Sequence, residues 1–258
     1  MIIPASTYKP FAFTRNYLVH YYEVGRDNRL TLPALMHYFE DIATLNSEAI
    51  GLPLDYYWKT GQVFLLLKWD IAIRSWPRFN EYVRIETHPT AFKKFMANRK
   101  YTVHTSDDKW IAEARSVWMY VDMVTKKPVR IPEEIFEAFG ISLDSESQFN
   151  QLEELPEITG VGAASSCPLQ VVRRDIDNNG HVNNVRYVEW ALESLPAEFA
   201  RERAISRLKI HYKKELREGD EAALLTVQTQ GGIRAVSDHS IRANGREFCR
   251  IHMEWTKA

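Results

Sequence analysis

The chain runs through the same order of elements twice, and that order is what limits its fold. In each half a polar turn leads into one amphipathic helix, and four strand-like stretches follow without a second long helix. The first turn is Arg26-Asp27-Asn28-Arg29. Leu35, Met36, Phe39, Ile42, Ala43, Ala49 and Ile50 then recur at helical spacing. Thr31 or Leu32 caps this helix. Pro33 sits in its first turn, where a missing N–H costs nothing, and Gly51 and Pro53 end it. Strand-like stretches rich in Val, Ile, Tyr, Phe and Thr cover 13–24 before the turn, and 63–73, 81–87, 97–105 and 110–122 after the helix. Ser106-Asp107-Asp108-Lys109 reads as a hairpin turn, and a short helix follows Pro132 over 133–139.

In the second half, 169–174 reads as a strand and 175–181 as a polar turn. Asn183 or Asn184 caps a helix carrying Val185, Val188, Leu192 and Leu195, ended by Pro196. Strands follow at 206–214, 222–230, 235–243 and 247–255, with Asn244-Gly245 placed for a type I′ hairpin turn. Strands that cluster and hairpin, rather than alternate with helices, indicate an α+β protein. A long helix wrapped by an antiparallel sheet is the hotdog architecture, so the expectation is a tandem (double) hotdog. The first hotdog is expected over 1–140 and the second over 169–258. A linker over 141–168 is expected between them, because residues 131–172 hold eight acidic residues and no Lys or Arg. Asp27-Asn28 echoes Asp177-Asn178, and Trp118 echoes Trp255; this alignment sets Thr31 opposite His181.

Composition excludes several classes. Lys+Arg 33 against Asp+Glu 34 gives a net charge of −1, which offers no strong field to nucleic acid or an anionic membrane. The longest apolar run, Val63 to Leu67, falls far short of the ~20 residues of a spanning helix. The start, MIIPASTYKPFAF, lacks the basic and apolar regions of a signal peptide. Two cysteines, Cys167 and Cys249, read as reduced thiols. A cytoplasmic protein is expected.

The stretch most able to carry chemistry is Asp175-Ile-Asp-Asn-Asn-Gly-His-Val-Asn-Asn184. It ends at a helix start, where unsatisfied N–H groups favour negative charge on a carbonyl oxygen. Asp177, Asn179 and His181 alternate, and in an extended turn they would face one side. The pattern also resembles the first half of a calcium loop, but the twelfth position, which must be Glu, is Arg186. A zinc-type site lacks ligands. From spacing alone, a plain capping turn and a catalytic loop both remain open.

Asp177-x-Asn179-x-His181-Val182-Asn183-Asn184, followed by Tyr187-x-x-Trp190-x-Leu192-Glu193, resembles the signature of the acyl-acyl-carrier-protein thioesterases of plant plastids and bacteria. The first helix, Ser116-Val117-Trp118, Arg130-Ile-Pro-Glu-Glu134 and Tyr212-Lys-Lys-Glu215 extend the likeness over nearly the whole chain. The resemblance implies a tandem hotdog that hydrolyses the thioester between a fatty acyl chain and acyl carrier protein, with no cofactor or metal. It places the catalytic set on Asp177, Asn179, His181 and Glu215, the last on the strand after the helix. Glu215 is then the candidate general base, and direct attack by its carboxylate stays open. Plant members often carry Cys beside that glutamate; here Leu216 stands there, so a thiol nucleophile is unavailable.

His20, His37, His88, His104, His211, His239 and His252 have no matching constellation, and surface or structural roles are expected for them. One site per chain leaves Leu35, Met36, Phe39, Ile42 and Ala43 of the first helix to line an acyl tunnel. Because the carrier protein is acidic, Arg173, Arg174, Lys213 and Lys214, flanked by Arg207 and Lys209, are expected to receive it with its phosphopantetheine-linked acyl chain. The resemblance leaves a homodimer open. Other readings are an acyl-CoA thioesterase on the same fold and a non-catalytic acyl-thioester sensor. The sensor would need an output module that the sequence does not display.

Overall fold

The computed structural model describes residues 12–158 and 165–257. The elements are β1 (Phe13–Leu18), α1 (Leu32–Ala49), α2 (Leu54–Thr60), β2 (Gln62–Ile73), β3 (Tyr82–Lys93), β4 (Met96–Thr105), β5 (Trp110–Asp122) and α3 (Glu133–Ala138). They continue as β6 (Ser165–Gln170), α4 (Asn184–Glu193), α5 (Ala197–Glu202), β7 (Arg203–Tyr212), β8 (Glu221–Gly231), β9 (Arg234–Ala243) and β10 (Arg246–Lys257). Two compact units result. The first comprises residues up to Leu67 and Ser75–Leu152, the second Lys68–Arg74 and Glu153–Ala258. The acidic connecting stretch is thus divided between them. Each unit is a hotdog, as the element order implied.

In the first unit, β1, β3, β4 and β5 pair antiparallel in that order. Helix α1 starts where the Thr31 side chain accepts the Ala34 N–H at 3.3 Å, with Pro33 in the first turn. Its buried stripe is Leu35, Met36, Phe39 and Ile42, packed toward β1 and β3. Asn46 ends the apolar part of that stripe. Its Oδ1 accepts from buried Arg99 Nη1 at 2.9 Å, and Thr87 Oγ1 accepts from the same nitrogen at 3.3 Å. The Arg99 guanidinium lies over the Phe139 ring at 5.4 Å.

In the second unit, Lys68 to Ala72 of β2 pair with β7, and the order continues β7-β10-β9-β8-β6, all antiparallel. Helix α4 packs on β8 and β10 through Val185, Tyr187, Val188 and Ala191. Past its C-terminal end lies a buried polar chain. Ser194 Oγ donates to the Ala191 carbonyl at 2.7 Å, so Thr226 Oγ1, 2.8 Å away, donates to Ser194. The His239 Nδ1–H then donates to Thr226 at 3.0 Å, and Nε2 accepts from Ser237 Oγ at 3.0 Å. Ser237 in turn accepts from Trp255 Nε1 at 2.9 Å. With the proton on Nδ1, a neutral imidazole completes the chain by accepting at Nε2.

Several local expectations fail for identifiable reasons. The strand expected over 13–24 ends at Leu18. The Glu23 carboxylate takes the His20 N–H at 2.7 Å and folds Tyr21–Glu23 into a 3-10 turn. The strand expected over 169–174 is shifted toward the N-terminus, to β6, and Arg173–Asp175 is again a 3-10 turn. Cys167 therefore lies in a strand, exposed, while Cys249 is buried in β10; both are free. β3 runs beyond Thr87 because a register shift between Pro89 and Ala91 absorbs the proline, which cannot donate to the ladder. Helices α2 and α5, each started by a proline cap, were not anticipated. Asn244 and Gly245 both have positive φ, 50° and 72°, as a type I′ turn demands.

Burial holds the His239 pKa down at about 4, from an ordinary 6.5. Between those values the unfolded chain binds a proton that the folded ring refuses, so stability falls as pH drops through this window. Melting temperatures taken from pH 7 to pH 4.5 should decline, and His239→Gln should lower the pH 7 value while flattening the decline. An unchanged slope in the variant contradicts this account.

Candidate active site

The loop before α4 is built from the backbone outward. Buried Asp175 accepts the Val172 N–H at 2.9 Å and closes the 3-10 turn. The Asn183 N–H donates to the Asp175 carbonyl at 2.8 Å, and Ile176 and Val182 bridge antiparallel. Inside this frame, the Asp177 N–H donates to the His181 carbonyl at 2.8 Å and the Gly180 N–H to the Asp177 carbonyl at 3.1 Å. Gly180 takes φ +79°, which L side chains rarely adopt. The Asn183 side chain then accepts the Val185 N–H at 2.8 Å and caps α4.

This turn is curled, not extended, so the expectation that Asp177, Asn179 and His181 share one side through strand alternation does not hold. The backbone bonds between Asp177 and His181 and between Gly180 and Asp177 curl it, and the Asp177 carboxylate adds to them. Its Oδ1 accepts the N–H groups of Asn179 at 2.8 Å and His181 at 3.4 Å, and its Oδ2 faces Asn179 Nδ2 at 3.4 Å. Asp177 therefore holds the backbone that carries His181. Asn179 lies exposed at the tip.

Glu215 lies three residues past the end of β7, not within it as expected. The chain leaves the strand because the Lys213 and Lys214 N–H groups both donate to the Phe248 carbonyl, at 2.8 and 3.2 Å. The Glu215 Oε2 reaches His181 Nε2 at 2.9 Å, with side chains 33% and 14% exposed respectively. Because a carboxylate only accepts, Nε2 carries the proton, and in the neutral ring Nδ1 is the basic nitrogen. The Leu216 carbonyl accepts the Val182 N–H at 2.9 Å, and the Leu216 N–H donates to Tyr187 Oη at 3.1 Å. In the sequence Tyr187 stands out only as part of a motif. Its place one turn after the cap, on the buried face of α4, was the available signal. Among the described residues no group of His, Cys, Asp and Glu is placed to hold a metal ion.

The first unit folds the same loop. Thr31 N–H donates to the Glu23 carbonyl at 2.9 Å, Gly25 N–H to Arg29 at 2.9 Å, Asn28 N–H to Gly25 at 3.0 Å and Leu30 N–H to Pro77 at 2.8 Å. Val24 and Leu30 bridge, and Thr31 caps the helix. This pattern sets Arg29, rather than Thr31, opposite His181. Gly25 corresponds to Asp177, Asp27 to Asn179 and Trp76 to Glu215. The Asp-Asn echo in the sequence was out of register by two residues. The imidazole–carboxylate pair is not repeated at these positions.

The tunnel candidates Leu35, Met36, Phe39 and Ile42 are buried in the first unit, and Ala43 is half-buried. Among the basic candidates, Arg173, Arg174 and Lys214 are exposed, with Lys214 over the Phe248 ring at 5.9 Å. Lys213 is held by Glu247. Arg207 grips Asp70 through two bonds of 2.8 and 2.7 Å, and Lys209 pairs with Glu153.

Fold and site define a tandem hotdog protein with a histidine–glutamate pair in its second unit. Residues 10–139 match the model of the acyl-ACP thioesterase N-terminal domain and residues 160–257 that of the C-terminal domain, and the chain belongs to this family. It is 26% identical over 265 residues to the chloroplastic palmitoyl-acyl carrier protein thioesterase of Gossypium hirsutum, covering 94% of this chain and 63% of that protein. It is 23% identical over 230 residues to the chloroplastic oleoyl-acyl carrier protein thioesterase 2 of Arabidopsis thaliana, covering 84% and 63%. The chain thus spans less than two thirds of these relatives. A crystal structure of an oleoyl thioesterase (putative) from Lactobacillus plantarum superposes with a TM-score of 0.87 at 22% identity, covering 96% of this chain and 97% of the other. The 12:0-ACP thioesterase of Umbellularia californica gives 0.81 at 20% identity, covering 96% and 94%. At these identities the two structures speak for the fold.

Gly180 has open space where a Cβ would go, so a substitution there meets backbone strain alone. Gly180→Ala should cost about 1–2 kcal/mol. Gly180→Asn should cost clearly less, since Asn28 holds the equivalent position at φ 63°. Denaturant melts compare the two; equal losses contradict the argument.

Proposed function

We propose that the chain hydrolyses thioesters of fatty acyl chains on acyl carrier protein, releasing free fatty acid and ending chain growth. The observation that carries this reading is the 2.9 Å pair of His181 Nε2 and Glu215 Oε2 on a loop fixed at the start of α4, within a chain of this family. The relatives' names supply the acyl carrier protein as the substrate's carrier.

The chemistry follows from the residues present. Glu215 takes a proton from water as the oxygen attacks the thioester carbon. Asn179 donates to the substrate oxygen as charge builds on it. The C–S bond then breaks; a thiol of ordinary pKa ~8.5 leaves readily, and the proton shared between Glu215 and His181 passes to the sulfur. Asp177 keeps the loop in shape. Leu35, Met36, Phe39, Ile42 and Ala43 line the acyl pocket, where each buried CH₂ contributes ~0.8 kcal/mol. Arg173, Arg174 and Lys214 receive the acidic carrier, with Lys213 contributing less because Glu247 neutralises it. The free cysteines fit a cytoplasmic setting, and no helix of the described residues is long and apolar enough to cross a membrane.

Matched acyl-carrier-protein and acyl-CoA thioesters over a ladder of chain lengths test the reading, and the carrier-protein series should be preferred. His181→Ala and Glu215→Ala should each lower kcat/KM by ~10²–10⁴-fold in folded protein. Near-normal turnover in both variants defeats the assignment.

Ala43 is the pocket candidate that is half-buried where the other four are buried. Ala43→Phe should shift the length preference toward shorter chains. A folded variant with an unchanged profile removes Ala43 from the pocket.

A further inference from the structure

We infer that Tyr187 is a positioning residue for the His181–Glu215 pair, acting through the Leu216 peptide. The inference rests on the thioesterase reading of that pair. Leu216 directly follows Glu215 and is completely buried. Its carbonyl takes the Val182 N–H at 2.9 Å, from the residue directly after His181. Its N–H donates to Tyr187 Oη at 3.1 Å, on α4. One peptide neighbour of Glu215 is therefore tied both to the loop that carries His181 and to the helix which that loop starts. With the backbone held from two directions, the carboxylate has few ways to leave the imidazole.

The ring of Tyr187 is itself fixed. It stands edge-on to Trp190 at 5.4 Å and to Tyr212 at 5.7 Å, and the Tyr212 hydroxyl donates to the Asn184 carbonyl at 2.8 Å. Burial pushes the Tyr187 phenol up, so it remains a neutral hydroxyl.

The first unit supplies an internal control. There the loop bond persists, from Leu30 N–H to the Pro77 carbonyl at 2.8 Å. The second tie is chemically impossible. Pro77 has no N–H, and Leu35, which occupies the place of Tyr187, has no hydroxyl. The tie to the helix is thus found in the unit that has the His181–Glu215 pair and missing from the unit that lacks it, while the backbone bonds of the loop and its cap are common to both. A bond needed only for folding the loop would have no reason to follow the pair.

Tyr187→Phe removes one oxygen and keeps the ring. Small displacements of reacting groups cost up to ~10²-fold in rate. The expected result is a fall in kcat of about tenfold or more with KM within twofold. The His181 ring 15N shifts, which read its hydrogen bond to Glu215 without substrate, should also change. Leu216→Pro copies the first unit and deletes the same bond from the donor side, so it carries the test if Tyr187→Phe does not fold. The double variant should be no worse than the more impaired single one, because both remove one interaction. A folded Tyr187→Phe with lowered stability but unaltered kcat and unaltered 15N shifts overturns the inference. Additive losses in the double variant overturn it as well. Wild-type protein inactive on every acyl-carrier-protein and acyl-CoA thioester would instead defeat the functional reading, a result visible before any variant is made.

Discussion

The bond from the Asn183 N–H to the Asp175 carbonyl, 2.8 Å long, closes the turn on which the site depends. A hotdog helix must bury one whole face against its sheet, so the chain has to enter that helix at a fixed point and angle. Closing the turn one residue before the helix sets both. The same bond recurs from Thr31 to Glu23 at 2.9 Å, and in each unit the residue whose N–H makes it also caps the helix with its side chain. Asn183 thus uses its backbone to shut the loop and its side chain to start α4. His181, two residues earlier, is placed by the same frame.

Much of this architecture is legible in the sequence because it rests on signals of long range. Helical spacing over Leu35, Met36, Phe39 and Ile42 marks the buried face of α1, and Asn244-Gly245 marks a hairpin. What escapes is set by single hydrogen bonds. The Glu23 and Asp175 carboxylates convert strand-like residues into 3-10 turns by taking one N–H each. The Asp177–His181 and Gly180–Asp177 backbone bonds curl a stretch whose alternation reads as extended. The register between the halves was misread because one backbone need is met by two residue types. Asn28 and Gly180 share a positive φ, yet matching letters pull Asn28 onto Asn178. The acid–base pair itself was legible only through resemblance. No spacing rule connects His181 to Glu215 across a helix and a strand; the 2.9 Å contact is a product of the fold.

Charge around the site is more ordered than a count of basic residues suggests. Glu247 accepts from Arg250, Lys213 and Ser240; burial alone would raise its pKa, but these donors outweigh it and hold the carboxyl at about 2. Lys213 is thereby neutralised near the point where the chain turns toward Glu215. Arg207 and Lys209 are likewise matched by Asp70 and Glu153. The exposed positive charge left beside the loop is concentrated on Arg173 and Arg174, which flank it in sequence, and on Lys214. The charges of Lys213, Arg207 and Lys209 are thus paired at short range while the net charge stays near zero.

The duplicated loop shows why the His181–Glu215 pair can be present in one unit and absent at the equivalent positions of the other at little structural cost. The frame consists of backbone hydrogen bonds, one left-handed residue and one capping side chain, and each is satisfied in both units by different amino acids. Asp177, Asn179 and His181 are not needed to close it, since Gly25, Asp27 and Arg29 stand in the same places within equivalent bonds. Side chains at these positions are therefore open to selection for chemistry. The position of Glu215 follows the same logic, because Trp76 sits there while the adjoining Pro77 carbonyl still takes its loop bond. The tie between Leu216 and Tyr187 steps outside the shared frame, as do the Asp177 carboxylate bonds to Asn179 and His181. A fold that separates its frame from the side chains it displays can hold a histidine–glutamate pair in one copy. It can also leave the other copy's helix, with its apolar stripe from Leu35 to Ile42, free to be shaped by apolar contacts.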